Sequence, residues 1–340
     1  MATAKKTAAG NWCVQAYIGT DINGKKQTKR FYGATKKEAE LAAAQFLLKK
    51  KINNDVNRKT LEDAIQEYID SKAVNLSPST VRGYGTIKRN LPKPFLLCPL
   101  GKIDNKTLQT YISMYSNGRS RKTVENALGF LSGVFSQNDI ELDMDRLTLP
   151  QKKKVEMYVP SAEDVDKILE YVKDTPFEVP IALAAYMGLR RGEIVALNWE
   201  DVDFEKDRIT IDKSLVRDQE GVWHEKPPKS FAGNRTLTMP KPLREILERH
   251  QKPEGRVCEV NPHSLTMHFR EKAAAAGIQP FNFHALRHFY ASVLLRLNVP
   301  NKYAQRRMGH SSSSILERVY QHLMEDKDEE IDEEIDGFFS

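Results

Sequence analysis

Three cysteines in 340 residues, Cys13, Cys98 and Cys258, are odd in number and far apart, which argues against a disulfide framework or a zinc site. No stretch reaches the run of about 18 apolar residues that a membrane helix needs. The start, where Lys5 and Lys6 lead into polar and small residues, has no signal-peptide pattern, so a cytoplasmic protein without a membrane partner is expected. A Walker-type glycine-rich loop is missing, which speaks against ATP-driven chemistry. The eight histidines are scattered and no carboxylate cluster accompanies them, so neither a metal nor another cofactor is expected, and a metal-dependent nuclease is set aside.

Charge of one sign, by contrast, is abundant once its position is considered. The formal net charge is +6, yet nine acids and one lysine lie in 325–340, a net −8 that leaves +14 on the rest. A body this basic suits a polyanion, with DNA or RNA the first candidate. Residues 1–59 alone hold thirteen Lys or Arg against four Asp or Glu.

Length suggests two or three domains. Trp12, Val14, Ala16 and Ile18 alternate with Cys13, Gln15 and Tyr17 at the period of a strand, Asn23-Gly24 signals a hairpin turn, and a second strand ends near Phe31-Tyr32. Thr35 and Glu38 form a capping box for a helix carrying Leu41, Phe46 and Leu47 toward Lys51. Lys25, Lys26, Lys29 and Arg30 on or beside the second strand make a DNA-groove sheet or a solvated basic face. Thr60 and Asp63, then Ser77-Pro78, open two further helices, and helical patterns follow around Leu108–Met114 and Val124–Phe135. This helical unit is dotted with Arg82, Lys88, Arg89, Arg119, Arg121 and Lys122, of which all but Arg119 are candidate DNA contacts. The predicted division is a sheet-plus-helix domain at 1–55, a helical domain at 58–142, a linker at 143–160, a mixed α/β domain at 161–324 opened by the Ser161/Asp164 cap, and an acidic tail at 325–340. The fold class is thus multidomain, mainly α with small β elements.

Four stretches of the last domain hold the informative polar groups. Arg190 stands in Gly188-Leu189-Arg190-Arg191-Gly192-Glu193 between two apolar segments, either functional or a buried arginine paired with Glu193. Lys229 falls in Lys226-Pro227-Pro228-Lys229-Ser230 on an expected hairpin. His284 and Arg287 sit three apart, on one helical face. Gly309-His310 precedes Tyr320 by ten positions. Tyr290, Tyr303 and His288 read as packing groups.

In this order and spacing the chain resembles the tyrosine recombinase, or phage integrase, family. The family pattern is an arginine in a Gly-Leu-Arg-x-x-Glu-like box, a hairpin lysine, His-x-x-Arg, Gly-His and a tyrosine beyond. The resemblance spans essentially the whole chain and implies an arm-site-binding sheet, a helical core-binding domain and a catalytic domain. It implies cleavage and rejoining of DNA through a 3′-phosphotyrosine, with Arg190, Lys229, His284, Arg287, His310 and Tyr320 as catalytic residues; Lys226 is the alternative lysine. It implies double-stranded DNA with core and arm-type sites as substrate, a homotetramer on that DNA, and an excisionase and a host DNA-bending protein as partners. The tail is either a frayed acidic end or a segment docking on a neighbouring protomer.

The chemistry explains the residue types. Attack on a phosphodiester builds charge on the non-bridging oxygens, which fixed guanidinium forks stabilise. A phenol, with a pKa near 10, makes a reversible ester. The 5′ oxygen leaves poorly and needs a proton, which the lysine supplies. The first alternative is a type IB-like topoisomerase, which would act alone on unspecific DNA; the second is a non-catalytic DNA-binding regulator.

Overall fold

The computed structural model describes residues 3–7, 10–20, 25–153, 158–227 and 233–309, with backbone only at Thr20 and 49–57. The turn at Asn23-Gly24, Lys229, His310, Tyr320 and the segment 325–340 lie outside the described residues. The chain forms two compact units, Met1–Lys153 and Lys154–Ser340.

In the first unit, β1 (Lys5–Lys6), β2 (Trp12–Thr20) and β3 (Lys26–Gly33) make an antiparallel sheet in that order. The period-2 pattern sets its faces: Val14 and Ala16 are buried against Ala39 and Ala43 of α1 (Lys36–Arg58). The capping box forms as expected, with the Glu38 amide donating to Thr35 Oγ1 at 3.2 Å and the Glu38 carboxylate accepting from the Ala34 and Thr35 amides. Which residues α1 turns inward differs from the expectation. Phe46 faces the sheet as expected, its ring 5.1 Å from that of Phe31, but Leu41 and Leu47 are exposed and the rest of the contact is made by alanines. The approach is tight, since a Cβ on Gly33 would lie 2.6 Å from the Ala39 amide nitrogen.

Register also separates the basic residues of β3. Lys29 pairs with the buried Ala16, so it lies on the helix side with its ammonium 4.5 Å from the centre of the Phe46 ring. Lys26 and Arg30 belong to the open face with the exposed Tyr17 and Tyr32. The grouping of Lys29 with a groove-facing set is therefore corrected: the strand's alternation turns it away.

The helices α2 (Leu61–Ala73), α3 (Pro78–Asn90), α4 (Lys93–Leu96), α5 (Asn105–Ser116) and α6 (Arg121–Gln137) enclose a second core. Leu61, Ala64, Ile65 and Ile69 recur at helical spacing and are buried, and Thr60 caps α2 through a complete box. Of the basic candidates here, Lys88 bonds Gln66 at 2.9 Å and lies 3.7 Å from Glu62, Arg121 pairs with Glu125 at 2.8 Å, and Arg82 and Arg89 are exposed. The segment expected as a linker is tied down at its start. Asn105 bonds the backbone of Asp143, Gln109 that of Thr148, and Leu147 and Leu149 pack on the core. Side-chain amides of α5 satisfy backbone groups that no helix or sheet does.

The second unit runs α7 (Ala162–Tyr171), α8 (Glu178–Met187), α9 (Arg191–Ile194), β4 (Val202–Asp203), β5 (Arg208–Ile211), β6 (Ser214–Arg217), β7 (Trp223–Lys226), β8 (Arg235–Thr238), α10 (Lys241–His250), α11 (Pro262–Ala275), α12 (Ala285–Arg296) and α13 (Asn301–Met308). One antiparallel sheet has the order β4-β5-β8, and β6 and β7 form a separate hairpin. β5 and β6 are parted at Asp212-Lys213, where Lys213 bonds Asp201 at 2.8 Å. α8 is buried on all sides, as its uniformly apolar sequence requires, and lies against α12 and α10. Tyr290 is buried as expected, whereas Tyr303 is exposed and not a packing group. No helix of the described residues is long and apolar enough to cross a membrane.

The Thr60 cap gives a simple check on the local code. Thr60→Ala is expected to lower stability by about 1 kcal/mol, read from the urea midpoint at unchanged slope.

Candidate active site

Gly188 starts the site. α8 ends there in the left-handed conformation, φ +63°, and a Cβ would lie 2.4 Å from Cδ1 of Tyr290 on α12. Only glycine combines that φ with that contact. The turn places Arg190 as N-cap of α9 and brings Glu193 back beneath it.

Glu193 is buried, with 4% of its side chain exposed, and each of its oxygens accepts twice. Oε1 accepts from Arg190 Nη1 at 2.7 Å and from Arg235 Nη1 at 3.3 Å. Oε2 accepts from the Arg190 amide at 2.9 Å and from Arg235 Nη2 at 2.9 Å. Burial alone would raise its pKa, but the Arg235 hydrogen bond, then the charges of Arg235 and Arg190, outweigh it and hold the carboxyl below its usual range.

Three guanidinium groups then converge on the end of α13. Arg190 Nη2 donates to the Gly309 carbonyl at 2.6 Å, Arg287 Nη2 to that of Met308, and Arg235 Nε to that of Arg307 at 2.8 Å. These are three successive carbonyls at a helix C-terminus, where cations are favoured. Arg287 also donates through Nη1 to the Gly188 carbonyl. It is the largest fully buried side chain, and its Nε has no hydrogen-bond partner among the described residues. Burial first, then Arg190, push its pKa down to about 9, which leaves it charged at neutral pH. Arg190 is the more accessible of the two, with 38% of its side chain exposed.

His284 is the residue before α12, its ring 5.0 Å from that of His288 at 85°. The residue presents an exposed edge but sits among cations. Desolvation, then His288, Arg287 and Arg190, push its pKa down to about 4, so the imidazole is neutral at pH 7.

The sequence-predicted Arg190, His284 and Arg287 are therefore brought together. Lys229 falls in the undescribed 228–232 between β7 and β8; His310 is next in sequence after Gly309, and both it and Tyr320 lie outside the described residues. Arg235 was missed. Its only sequence signal is the strand period, Arg235-Thr236-Leu237-Thr238, which puts it on the same buried side as Leu237.

The expectation of no carboxylate–histidine cluster is also corrected, since Asp174, Glu178 and His250 meet. Glu178 is buried and already bonded to both Arg249 and His250, and Arg249 reaches Asp174 at 3.5 Å. A fixed cation fills the place of a metal there, and the cluster ties α8 to α10.

A domain of this kind, with arginine forks gathered at a helix end, matches known proteins. Residues 159–327 match the phage integrase family and residues 3–50 an arm DNA-binding domain. A "tyrosine recombinase XerC-like" protein of Caldanaerobacter subterraneus subsp. tengcongensis is 28% identical, over 92% of each chain. The Tn1549 transposon integrase, solved with transposon right end DNA, has a TM-score of 0.64 at 18% identity, over 80% of this chain and 99% of that one. A lambda integrase tetramer bound to a Holliday junction has a TM-score of 0.56 at 19% identity, over 93% and 94%. The chain belongs to the phage integrase family, the tyrosine recombinases.

Two outcomes test this geometry. Gly188→Ala should destabilise the protein by roughly 2 kcal/mol or more, because the left-handed φ and the Tyr290 contact act together; a denaturation curve checks it. The His284 ring resonances should stay at their neutral positions from pH 8 down to about pH 5, where an ordinary histidine has already titrated. Because the folded pKa lies below the unfolded one, this group's contribution to stability is present above about pH 6.5 and is lost as pH falls toward 4.

Proposed function

We propose that this recombinase cuts and rejoins DNA at specific paired sites for integration and excision of a phage or conjugative mobile element, with Arg190, Lys229, His284, Arg287, His310 and Tyr320 as its catalytic residues. One observation carries the assignment. Arg190 and Arg287 end on the Gly309 and Met308 carbonyls, immediately before His310, so two phosphate-binding forks and the start of the nucleophile-bearing segment share one place.

In the reaction the Tyr320 hydroxyl gives up its proton to solvent while His284 accepts its hydrogen bond, and the oxygen bonds to the scissile phosphorus as the bond to the 5′ oxygen breaks. Lys229, with Lys226 as the alternative, protonates that oxygen. Arg190 and Arg287 take the growing charge on the non-bridging oxygens, and His310 donates a further bond. Without DNA, the two forks hold backbone carbonyls, oxygen acceptors of the same hardness as phosphate. A dianionic transition state competes for the same donors and, being charged, binds them more strongly. Loss of either guanidinium should cost roughly 100- to 1,000-fold in cleavage rate.

His284 has the wrong pKa for a strong base: about 4 against a phenol near 10. Its role is to accept a hydrogen bond and orient the phenol or phosphate. An incoming phosphate supplies the opposite charge that this ring lacks and raises its pKa.

The open face of the β1-β2-β3 sheet, with Lys26, Arg30, Tyr17 and Tyr32, suits an arm-type site, with Lys25 at its edge, whereas Lys29 stays on the helix side. Arg82, Lys88, Arg89, Arg121 and Lys122 suit backbone contacts at the core site. We assign 1–55 to the arm, 58–142 to core binding, 143–160 to the linker, 161–324 to catalysis and 325–340 to an acidic tail that docks on a neighbouring protomer. A homotetramer on DNA, by analogy with the lambda integrase tetramer, an excisionase, a host DNA-bending protein and a cytoplasmic location complete the reading.

Tyr320→Phe on a suicide DNA substrate should abolish the covalent protein–DNA adduct while leaving affinity within about twofold; an adduct that persists contradicts the nucleophile. Affinity should fall steeply with salt, with a log–log slope of several units, since many phosphates are neutralised.

A further inference from the structure

We infer that Arg235 is a positioning residue for strand cleavage: by sharing Glu193 it keeps the second fork arm of Arg190 directed away from that carboxylate, toward the position the reacting phosphate takes. The inference rests on the role proposed for Arg190 and goes beyond it, since Arg235 is not one of the six residues assigned to the chemistry.

Arg235 lies on β8, with 3% of its side chain exposed. It cannot reach DNA from there, yet it holds three parts of the site at once. Nη1 and Nη2 each donate to one Glu193 oxygen, Nε donates to the Arg307 carbonyl, and Nη1 also donates, at 3.1 Å, to the carbonyl of Gly233, the first described residue after 228–232.

The count of acceptor positions gives the mechanism. A carboxylate offers about four lone-pair sites, and an arginine facing it alone prefers to bind both oxygens with two parallel N–H groups. Here all four are occupied: two by Arg235, one by the Arg190 amide and one by Arg190 Nη1. Arg190 is therefore held by a single Nη, and its Nη2 points away to the Gly309 carbonyl. Remove Arg235 and Glu193 regains two acceptor positions in a buried site. The nearest cation is Arg190, whose guanidinium would turn inward to a two-armed pairing and withdraw the arm that phosphate uses. A displacement on the order of 1 Å is enough to cost about 100-fold in rate.

The test compares single-turnover cleavage of a normal suicide substrate with that of one carrying a methylphosphonate at the scissile position. The methyl group removes the charge that Arg190 serves. Arg190→Ala is the control: its defect should shrink strongly on the neutral substrate. Arg235→Met should slow cleavage of the phosphodiester roughly 100-fold at saturating protein, and that defect should shrink to about a tenth or less of its size on the methylphosphonate, in step with the control. Arg235→Lys, which keeps charge but cannot fill both Glu193 oxygens, should fall between the two. Should Arg235→Met fail to fold, Arg235→Lys and Arg235→Gln carry the same comparison. An Arg235 defect equal on both substrates, while the control shrinks, overturns the inference, as does normal cleavage by a folded Arg235 variant. An Arg190→Ala defect that does not shrink overturns the role of Arg190 itself, and this inference with it.

Discussion

A carboxylate buried to the depth of Glu193 stays charged only if its surroundings replace the water it has lost. Two guanidinium groups and a backbone amide do so, and the rest of the candidate site is arranged around that replacement. Because Glu193 is in α9, Arg235 on β8 and the clamped carbonyls at the end of α13, one ion cluster fixes three elements that are far apart in sequence. Such a cluster is a costly way to add stability, and its value lies in direction: it specifies where each fork points. Arg287 completes the arrangement from α12 by bridging the Gly188 and Met308 carbonyls, joining the end of α8 to the end of α13.

The same clamp suggests how the site can be assembled without being reactive. The forks are occupied by neutral oxygens that close the helix end, so they are oriented before DNA arrives and carry little reorganisation into the reaction. On the proposed assignment, a charged phosphate would displace a carbonyl at low cost because one acceptor replaces another. The neutral His284 fits that order of events, since the cations that depress its pKa are the ones a phosphate would offset.

Much of this was legible in the sequence where the governing interaction is local. The boxes at Thr35/Glu38, Thr60/Asp63 and Ser161/Asp164 each span one turn, and all three form. The meeting of Arg190, His284 and Arg287 could be expected from motif order, although their convergence spans 119 positions to Gly309. What was not legible depends on tertiary closeness. α1 offers leucines and alanines, and the short distance to the sheet selects the alanines. Lys29 looks like its basic neighbours, but the register with Ala16 turns it to the helix. Arg235 carries no motif of its own, and a strand residue reveals its partner only when the sheet is placed against α9.

The most direct measurement is a crystal structure of the Tyr320→Phe protein bound to an uncleaved core site. The account predicts that Arg190 and Arg287 both donate to oxygens of the one scissile phosphate, with Glu193 still bonded to Arg190 and Arg235. A scissile phosphate held by other residues, with either guanidinium still on its carbonyl and out of hydrogen-bond reach, would contradict it.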